Sequence, residues 1–319
     1  MTLLQSIAQL LADITITDRQ TEAVSTTYNN LKGLLLAADN GLHGERVFQN
    51  GSYDRDTIIK PLDDVDLFFV LKRAEYEDNG VLCNPLGVLT KVKKFLNGTC
   101  DYKDKVVQDR PCVTVQLSDK RFDVLPCFGN DVDGYWIPDS DLSGWIWSNP
   151  VVHSQKLTKV NQDRKQLIVP LVRILKYWNR EKGKSIPSYH IEDIVTSIFT
   201  LFDLANHKDG VELWFEYAGN YLDANKFPSE EAYDEAKADI AAAYELLKQA
   251  REVYDEDEAK AIQIWKQVFG RKFPTVSVNE AKAVSQSMQQ GSLKIAASGL
   301  LGAVGRSVSP TAYFGDAAH

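Results

Sequence analysis

The chain has 319 residues, 44% of them hydrophobic and 25% charged, which excludes a disordered, collagen-like or fibrous protein and leaves room for one large domain or two ordinary ones. Its formal net charge is −8. A nucleic-acid binder normally carries a basic surplus, because counterion release from phosphates supplies much of its affinity, so no long nucleic acid is expected as a partner. Cys83, Cys100, Cys112 and Cys127 form no CxxC pair, and no histidine is placed to complete a zinc set, so four reduced thiols are expected. The start, MTLLQSIAQLLADI, has no Lys or Arg ahead of its apolar residues, and no stretch approaches the ~18 apolar residues of a membrane helix. A soluble, cytoplasmic protein without a membrane partner is expected.

In chain order, apolar residues at three- and four-residue spacing predict a helix over 3–14 and a second over 18–38. Thr17 and Gln20 form a capping-box pattern at the start of the second, and Asn40-Gly41 ends it. The period then shortens. Residues 47–50 read as a short strand ending in Gly51-Ser52, residues 64–71 as a buried strand, and 84–96 as a crossover helix. Residues 113–117 and 121–125 read as two strands joined by Ser118-Asp119-Lys120. From Asn149-Pro150, a cap followed by a proline suited to the first helical position, the chain reads helical. Helices are expected over 168–178, 188–204, 230–253 and 256–269, with Ser188 as the cap of the second and Glu192 and Asp193 complementing its dipole. His153 and His190 fall on helices and read as structural. After Pro274 periodicity is lost, and the remainder reads as a loosely held tail.

One constellation carries chemistry. Gly51-Ser52 closes a strand, Asp64-Val65-Asp66 opens the next, and Asp123 lies in Arg121-Phe122-Asp123-Val124-Leu125. Asp64 and Asp66 are two apart, so on a strand both leave the same face. Adjacent carboxylates repel and raise a pKa unless a cation sits between them. With Asp123 facing the same way from a neighbouring strand, three carboxylates make a hard oxygen site suited to Mg2+, for which Mn2+ can substitute. Two such ions about 3.5–4 Å apart would activate a hydroxyl and stabilise a leaving pyrophosphate. Glycine lets the backbone approach a polyanion, and the Ser52 hydroxyl with nearby N–H groups can hold phosphate oxygens.

GSYDRDTIIKPLDDVDLFFV followed by RFDVLP resembles the polymerase-β nucleotidyltransferase superfamily, and within it the bacterial CD-NTases, cyclic-oligonucleotide synthases related to animal cGAS and the oligoadenylate synthases. The resemblance implies an α+β, two-lobed nucleotidyltransferase: a small mixed-sheet lobe holding the acids and a helical lobe that clamps the nucleotide. Expected boundaries are 1–149 for the core with its N-terminal helices, 150–274 for the helical lobe and 275–319 for a C-terminal extension. The expected activity is template-independent synthesis of a cyclic dinucleotide from UTP and/or ATP in antiphage (CBASS) signalling. The same likeness makes Lys176, in Arg173-Ile174-Leu175-Lys176-Tyr177-Trp178, and Ser188 contacts to the triphosphate, and Tyr189 a stacking surface for a base. Asn161 is taken as a base-reading carboxamide of the pyrimidine-using E clade. A regulatory or conjugating protein is expected to engage the C-terminal tail. No zinc insertion, P-loop or GxGxxG is present. Rival readings are an RNA-terminal nucleotidyltransferase, a small-molecule or protein nucleotidyltransferase, and a non-catalytic interaction protein of the same fold.

Overall fold

Alternation along two neighbouring strands sets the architecture. The structure, a computed structural model, describes residues 1–62 and 64–275 together with three two-residue strands further on. Its elements are α1 (Leu3–Ile14), α2 (Asp18–Leu35), β1 (Gly44–Asn50), the single turn α3 (Gly51–Asp54), β2 (Asp64–Leu71), a ribbon of β3 (Glu77–Asp78) and β4 (Val81–Leu82), and α4 (Pro85–Asn97). There follow β5 (Val106–Asp109), β6 (Cys112–Gln116), β7 (Arg121–Asn130), β8 (Gly134–Pro138) and β9 (Trp145–Ser148). Six helices come next: α5 (Pro150–Asp163), α6 (Ile168–Glu181), α7 (Ser188–Leu201), α8 (His207–Tyr217), α9 (Glu230–Val253) and α10 (Glu258–Phe269). The tail reading falls on residues outside the described ones, apart from β10 (Lys294–Ile295), β11 (Leu301–Gly302) and β12 (Arg306–Ser307).

The chain divides into two compact units, residues 11–240 and residues 1–10 with 241 onward. The first is a mixed α+β unit. Its sheet runs β1-β2-β7-β6-β5, with β8 beside β7 and β9 beside β8. Strands β2 and β7 are parallel and the other pairs antiparallel. On one face Val65, Leu67, Phe69 and Leu71 of β2 and Phe122, Val124 and Phe128 of β7 share a core with Val24, Leu31 and Leu35 of α2 and Val88, Leu89, Val92 and Leu96 of α4. Period-two alternation therefore sends Asp64, Asp66 and Asp123 to the opposite face. There Phe68, Val70, Leu125, Cys127 and Tyr135 form a smaller apolar cluster. Each fully buried Leu or Phe contributes about 1.5–3 kcal/mol. A one-residue slip of β2 would turn this set outward and the acids inward, so packing pins the register that the acids depend on.

The helical part of this unit is held by α6 and α7, whose apolar faces bury Leu171, Leu175, Trp178, Ile194 and Phe199. Trp178 meets Phe215 edge to face at 4.8 Å. In the other unit Leu3, Ile7 and Leu10 are buried at helical spacing, as are Trp265 and Phe269 of α10, whose rings stack at 5.5 Å.

The capping box at Thr17 and Gln20 is present, and the Asn40 carboxamide closes the end of α2 on the carbonyls of Leu34 and Leu35. The sequence reading missed the β3–β4 ribbon, β5, β8, β9 and α8, and stopped β7 at 125. Gly129 and Gly134, at φ of +134° and +89°, interrupt the hydrophobic pattern there, although the aromatic runs Tyr135-Trp136-Ile137 and Trp145-Ile146-Trp147 favour strand.

Candidate active site

The glycine of the Gly51-Ser52 turn is demanded twice over. Gly51 has φ +72°, and a Cβ built on it would lie 1.8 Å from Asp66 Oδ2. No other residue fits without displacing that carboxylate. Register explains the proximity: Asn50, the last residue of β1, pairs with Asp66. Asp66 in turn pairs with Asp123 across the parallel β2–β7 ladder, and Asp64 pairs with Arg121. The structure thus brings Gly51, Asp64, Asp66 and Asp123 together at one end of the sheet.

The three acids are in different electrostatic states. Arg121 Nε lies 2.5 Å from Asp64 Oδ1 and 3.8 Å from Asp123 Oδ2, so it serves as a counter-cation for both. Thr114 Oγ1 donates to Asp123 Oδ1 at 2.5 Å. Burial raises the Asp123 carboxyl above its ordinary pKa, with the Thr114 hydrogen bond and Arg121 opposing. Asp66 is pushed up to about 6, by burial first and then by the neighbouring Asp123 and Asp64 charges. Among the described residues no three His, Cys, Asp or Glu side chains close into a preformed metal cage. Nevertheless the donors are all carboxylates, and a half-buried carboxyl destabilised by two like charges is chemistry that a hard divalent cation relieves. Asp64, Asp66 and Asp123 fit Mg2+ or Mn2+ in that sense.

Beside the acids lies a cleft of about 110 Å³ lined by Ser52, Thr57, Asp64, Lys176, Arg180 and Ser188, among others. Three expected site residues therefore share one cavity with Asp64. Lys176 is buried, and its ammonium donates to Glu192 Oε1 at 2.6 Å and to Thr57 Oγ1 at 2.9 Å. Burial lowers its pKa, with Glu192 opposing. Ser188 is exposed and is the first residue of α7. Pro187 takes the cap position, which corrects the expected capping role and leaves the Ser188 hydroxyl free of it. Tyr189 is 44% exposed, with Lys226 Nζ 5.8 Å from its ring centre.

Asn161 departs from its expected role. It is buried, and its Oδ1 accepts from Ile168 N at 3.0 Å and Val169 N at 3.1 Å, while Nδ2 donates to Gln166 Oε1 at 2.5 Å. Lys165 and Gln166 take left-handed φ values and break α5 from α6. No side chain from Leu167 caps α6, so Asn161 satisfies its orphan N–H groups from the preceding helix. The carboxamide proposed to read a base is already engaged.

Sequence reasoning missed the buried polar cluster under the cleft. Glu192, expected to complement a helix dipole, is fully buried and accepts from Arg55 Nε (2.6 Å), Thr57 Oγ1 (2.6 Å) and Lys176 Nζ (2.6 Å), with His153 Nε2 at 3.1 Å. Burial alone would raise its pKa, but His153, Lys176 and Arg55 outweigh burial and hold it well below the carboxylate range. His153 also meets Asp193 at 3.1 Å, and its two carboxylate partners push it up to about 9. A signal did exist: Lys176 stands inside the apolar run Ile174-Leu175-Lys176-Tyr177-Trp178, and a buried charge needs an opposite one.

Comparison with known proteins now bears on this geometry. Residues 1–161 match the Second Messenger Oligonucleotide or Dinucleotide Synthetase domain, SMODS. The chain belongs to the SMODS family. A probable cyclic nucleotide synthase from Bacillus cereus strain VD146 is 29% identical over 303 residues, covering 78% of this chain and 89% of that protein. A cyclic AMP-AMP-AMP synthase from an Acinetobacter species is 26% identical over 330 residues, covering 93% and 92%. The structure of E. coli MS115-1 CdnC with ATP superposes with a TM-score of 0.70 at 15% identity, covering 85% of this chain and 98% of that one, and CdnC has also been solved with HORMA-deltaN. This SMODS protein therefore has the polymerase-β-like CD-NTase fold and is a nucleotidyltransferase of the cyclic-oligonucleotide-forming kind. Lys176, Ser188 and Tyr189 lie beyond the matched domain. Among the described residues no helix is long and apolar enough to cross a membrane.

Proposed function

We propose that the protein makes a cyclic di- or trinucleotide without a template, with ATP as a substrate and UTP as the second candidate. The observation that carries the chemistry is the Asp66–Asp123 pair, opposed across β2 and β7, with Asp64 beside it and Gly51 packed against Asp66. Asp64, Asp66 and Asp123 would hold one or two Mg2+ ions, or Mn2+, which when bound lower the pKa of the attacking ribose hydroxyl and neutralise the phosphate charge. The chain's own residues do the rest. The Gly51-Ser52 turn admits the phosphates to the cleft, Ser188 offers its hydroxyl from the first turn of α7, and Tyr189 offers an exposed ring for a base. Arg121, paired with Asp64 at 2.5 Å, is the counter-cation whose place beside that carboxylate a bound divalent ion would take.

ATP is supported by the cyclic AMP-AMP-AMP synthase relative and by ATP in the CdnC structure. The uracil reading depended on Asn161, whose hydrogen bonds are spent on α6. Membership of the pyrimidine-using E clade, with cyclic UMP–AMP or cyclic di-UMP as product, therefore rests on the UTP arm of the assay. Antiphage signalling under a regulatory protein partner completes the reading. Its support is the HORMA-deltaN complex of CdnC. The test is incubation of purified protein with labelled ATP, UTP, GTP and CTP, singly and in pairs, with Mg2+ or Mn2+, followed by phosphatase. Resistant products containing adenosine are expected, because a ring has no terminal phosphate to remove. Only phosphatase-sensitive or RNA-tailed products would overturn the reading in favour of a terminal transferase.

A further inference from the structure

We propose that Glu192 is a positioning residue for the triphosphate, acting through Lys176 and Thr57. This rests on the reading of the Ser52–Lys176–Ser188 cleft as the polyphosphate site. An ammonium has three N–H donors. Two of those on Lys176 are taken, by Glu192 Oε1 at 2.6 Å and Thr57 Oγ1 at 2.9 Å, and Lys176 lines the cleft. One donor is left for the cavity, and its direction is set by the other two. The Thr57 hydroxyl accepts from Lys176 and donates a hydrogen bond to Glu192 Oε1 at 2.6 Å, so the three groups form a closed, fully directed triangle.

The other carboxylate oxygen reaches a different part of the site. Glu192 Oε2 accepts from Arg55 Nε, and Arg55 follows Ser52 by three residues at the end of the α3 turn. The Thr57 backbone N–H donates to the Ser52 carbonyl at 2.9 Å. One buried side chain on α7 thus ties the phosphate turn to the cation on α6, with His153 of α5 alongside. The cluster is fully desolvated at Glu192 and nearly so at Lys176 and Arg55, whose side chains are 6% and 10% exposed. Desolvated hydrogen-bonded charges hold fixed geometry, and fixed geometry is what a phosphate grip requires. None of these residues is asked to touch the base.

The consequence is specific: loosening the triangle weakens the grip on polyphosphate and leaves the nucleoside part of recognition alone. The experiment compares Thr57→Val, which removes the hydroxyl at equal shape, with Thr57→Ser, which keeps it. Calorimetric binding of inorganic tripolyphosphate and of adenosine is measured on each folded variant in the absence of turnover, with circular dichroism as the folding check. Thr57→Val is expected to weaken tripolyphosphate about five- to tenfold, the size of one typical net hydrogen bond, with adenosine binding unmoved. Thr57→Ser is expected to restore tripolyphosphate affinity to within about twofold. Glu192→Gln, studied at low temperature, should weaken tripolyphosphate at least as much. Unchanged tripolyphosphate affinity in folded Thr57→Val, or an equal loss for adenosine, would overturn the proposal. Wild-type protein that binds tripolyphosphate but forms no ring would count against the proposed function and leave this inference standing.

Discussion

Asp66, half-buried, and Glu192, fully buried, are two carboxylates in one compact unit, and their surroundings drive them in opposite directions. Asp66 faces two other acids and is raised to about 6, whereas Glu192 faces three cations and is held well below the usual range. Burial acts the same way on both, so the difference comes from neighbours. Asp66 is left short of positive charge, as suits a group that receives a cation from solution. Glu192 already has its cations within the fold, as suits a group that holds others in place. On the proposed function, unmet charge marks the chemistry and satisfied charge marks the frame.

The largest expected effects break this pair apart. Asp64→Asn with Asp66→Asn should reduce product formation by more than about 10³-fold, because in the proposed function the acids supply the electrostatic stabilisation of the reaction. The same variant should melt no lower than wild type, since it removes repulsion that the native fold carries. Glu192→Gln should do the reverse to stability. Breaking a buried pair leaves uncompensated charge and costs about 3–5 kcal/mol. Melting temperatures of the two variants, measured side by side without metal, check the contrast. Equal destabilisation would mean the two carboxylates are not in different states.

A smaller effect follows from His153. Its pKa is raised from 6.5 to about 9 by Asp193 and Glu192, so the folded state binds the proton more tightly than the unfolded one. The stabilisation is fully present below pH 6.5 and is lost as the pH rises through 9. Melting temperature should therefore fall between pH 7 and 9.5 in wild type and fall less in His153→Gln. Asp66 has the same sign at lower pH. Its raised pKa favours the folded state below 3.8, and the advantage fades as the pH climbs through 6.

The smallest effect concerns Asn161. Asn161→Ala should destabilise the fold by about 1–2 kcal/mol, the usual cost of losing a helix cap, and leave the ratio of uridine to adenosine incorporation unchanged. A shift toward adenosine at unchanged stability would restore its base-reading role.

Local rules made much of the molecule legible. The Thr17–Gln20 box, the Asn149-Pro150 start and the apolar spacing of α6 act within a few residues of themselves, so they read directly from the chain. The acids were legible because strand geometry has a period of two, which places Asp64 and Asp66 on one face wherever β2 lies. The break between α5 and α6 and the capping role of Asn161 were harder. The side chain reaches seven residues ahead to Ile168, and only the left-handed turn at Lys165 and Gln166 makes that reach possible.

By itself the sequence determined the α+β class, the Gly51-Ser52 turn and the set of three acids, because alternation, helical period and turn chemistry are properties of neighbouring residues. Tertiary structure alone decided what surrounds each charge. Arg121 meets Asp64 through parallel pairing, and Arg55, Thr57, His153 and Lys176 converge on Glu192 from positions up to 137 residues away. Burial and Coulombic contact depend on distance in space, and a chain carries no record of that distance until it folds.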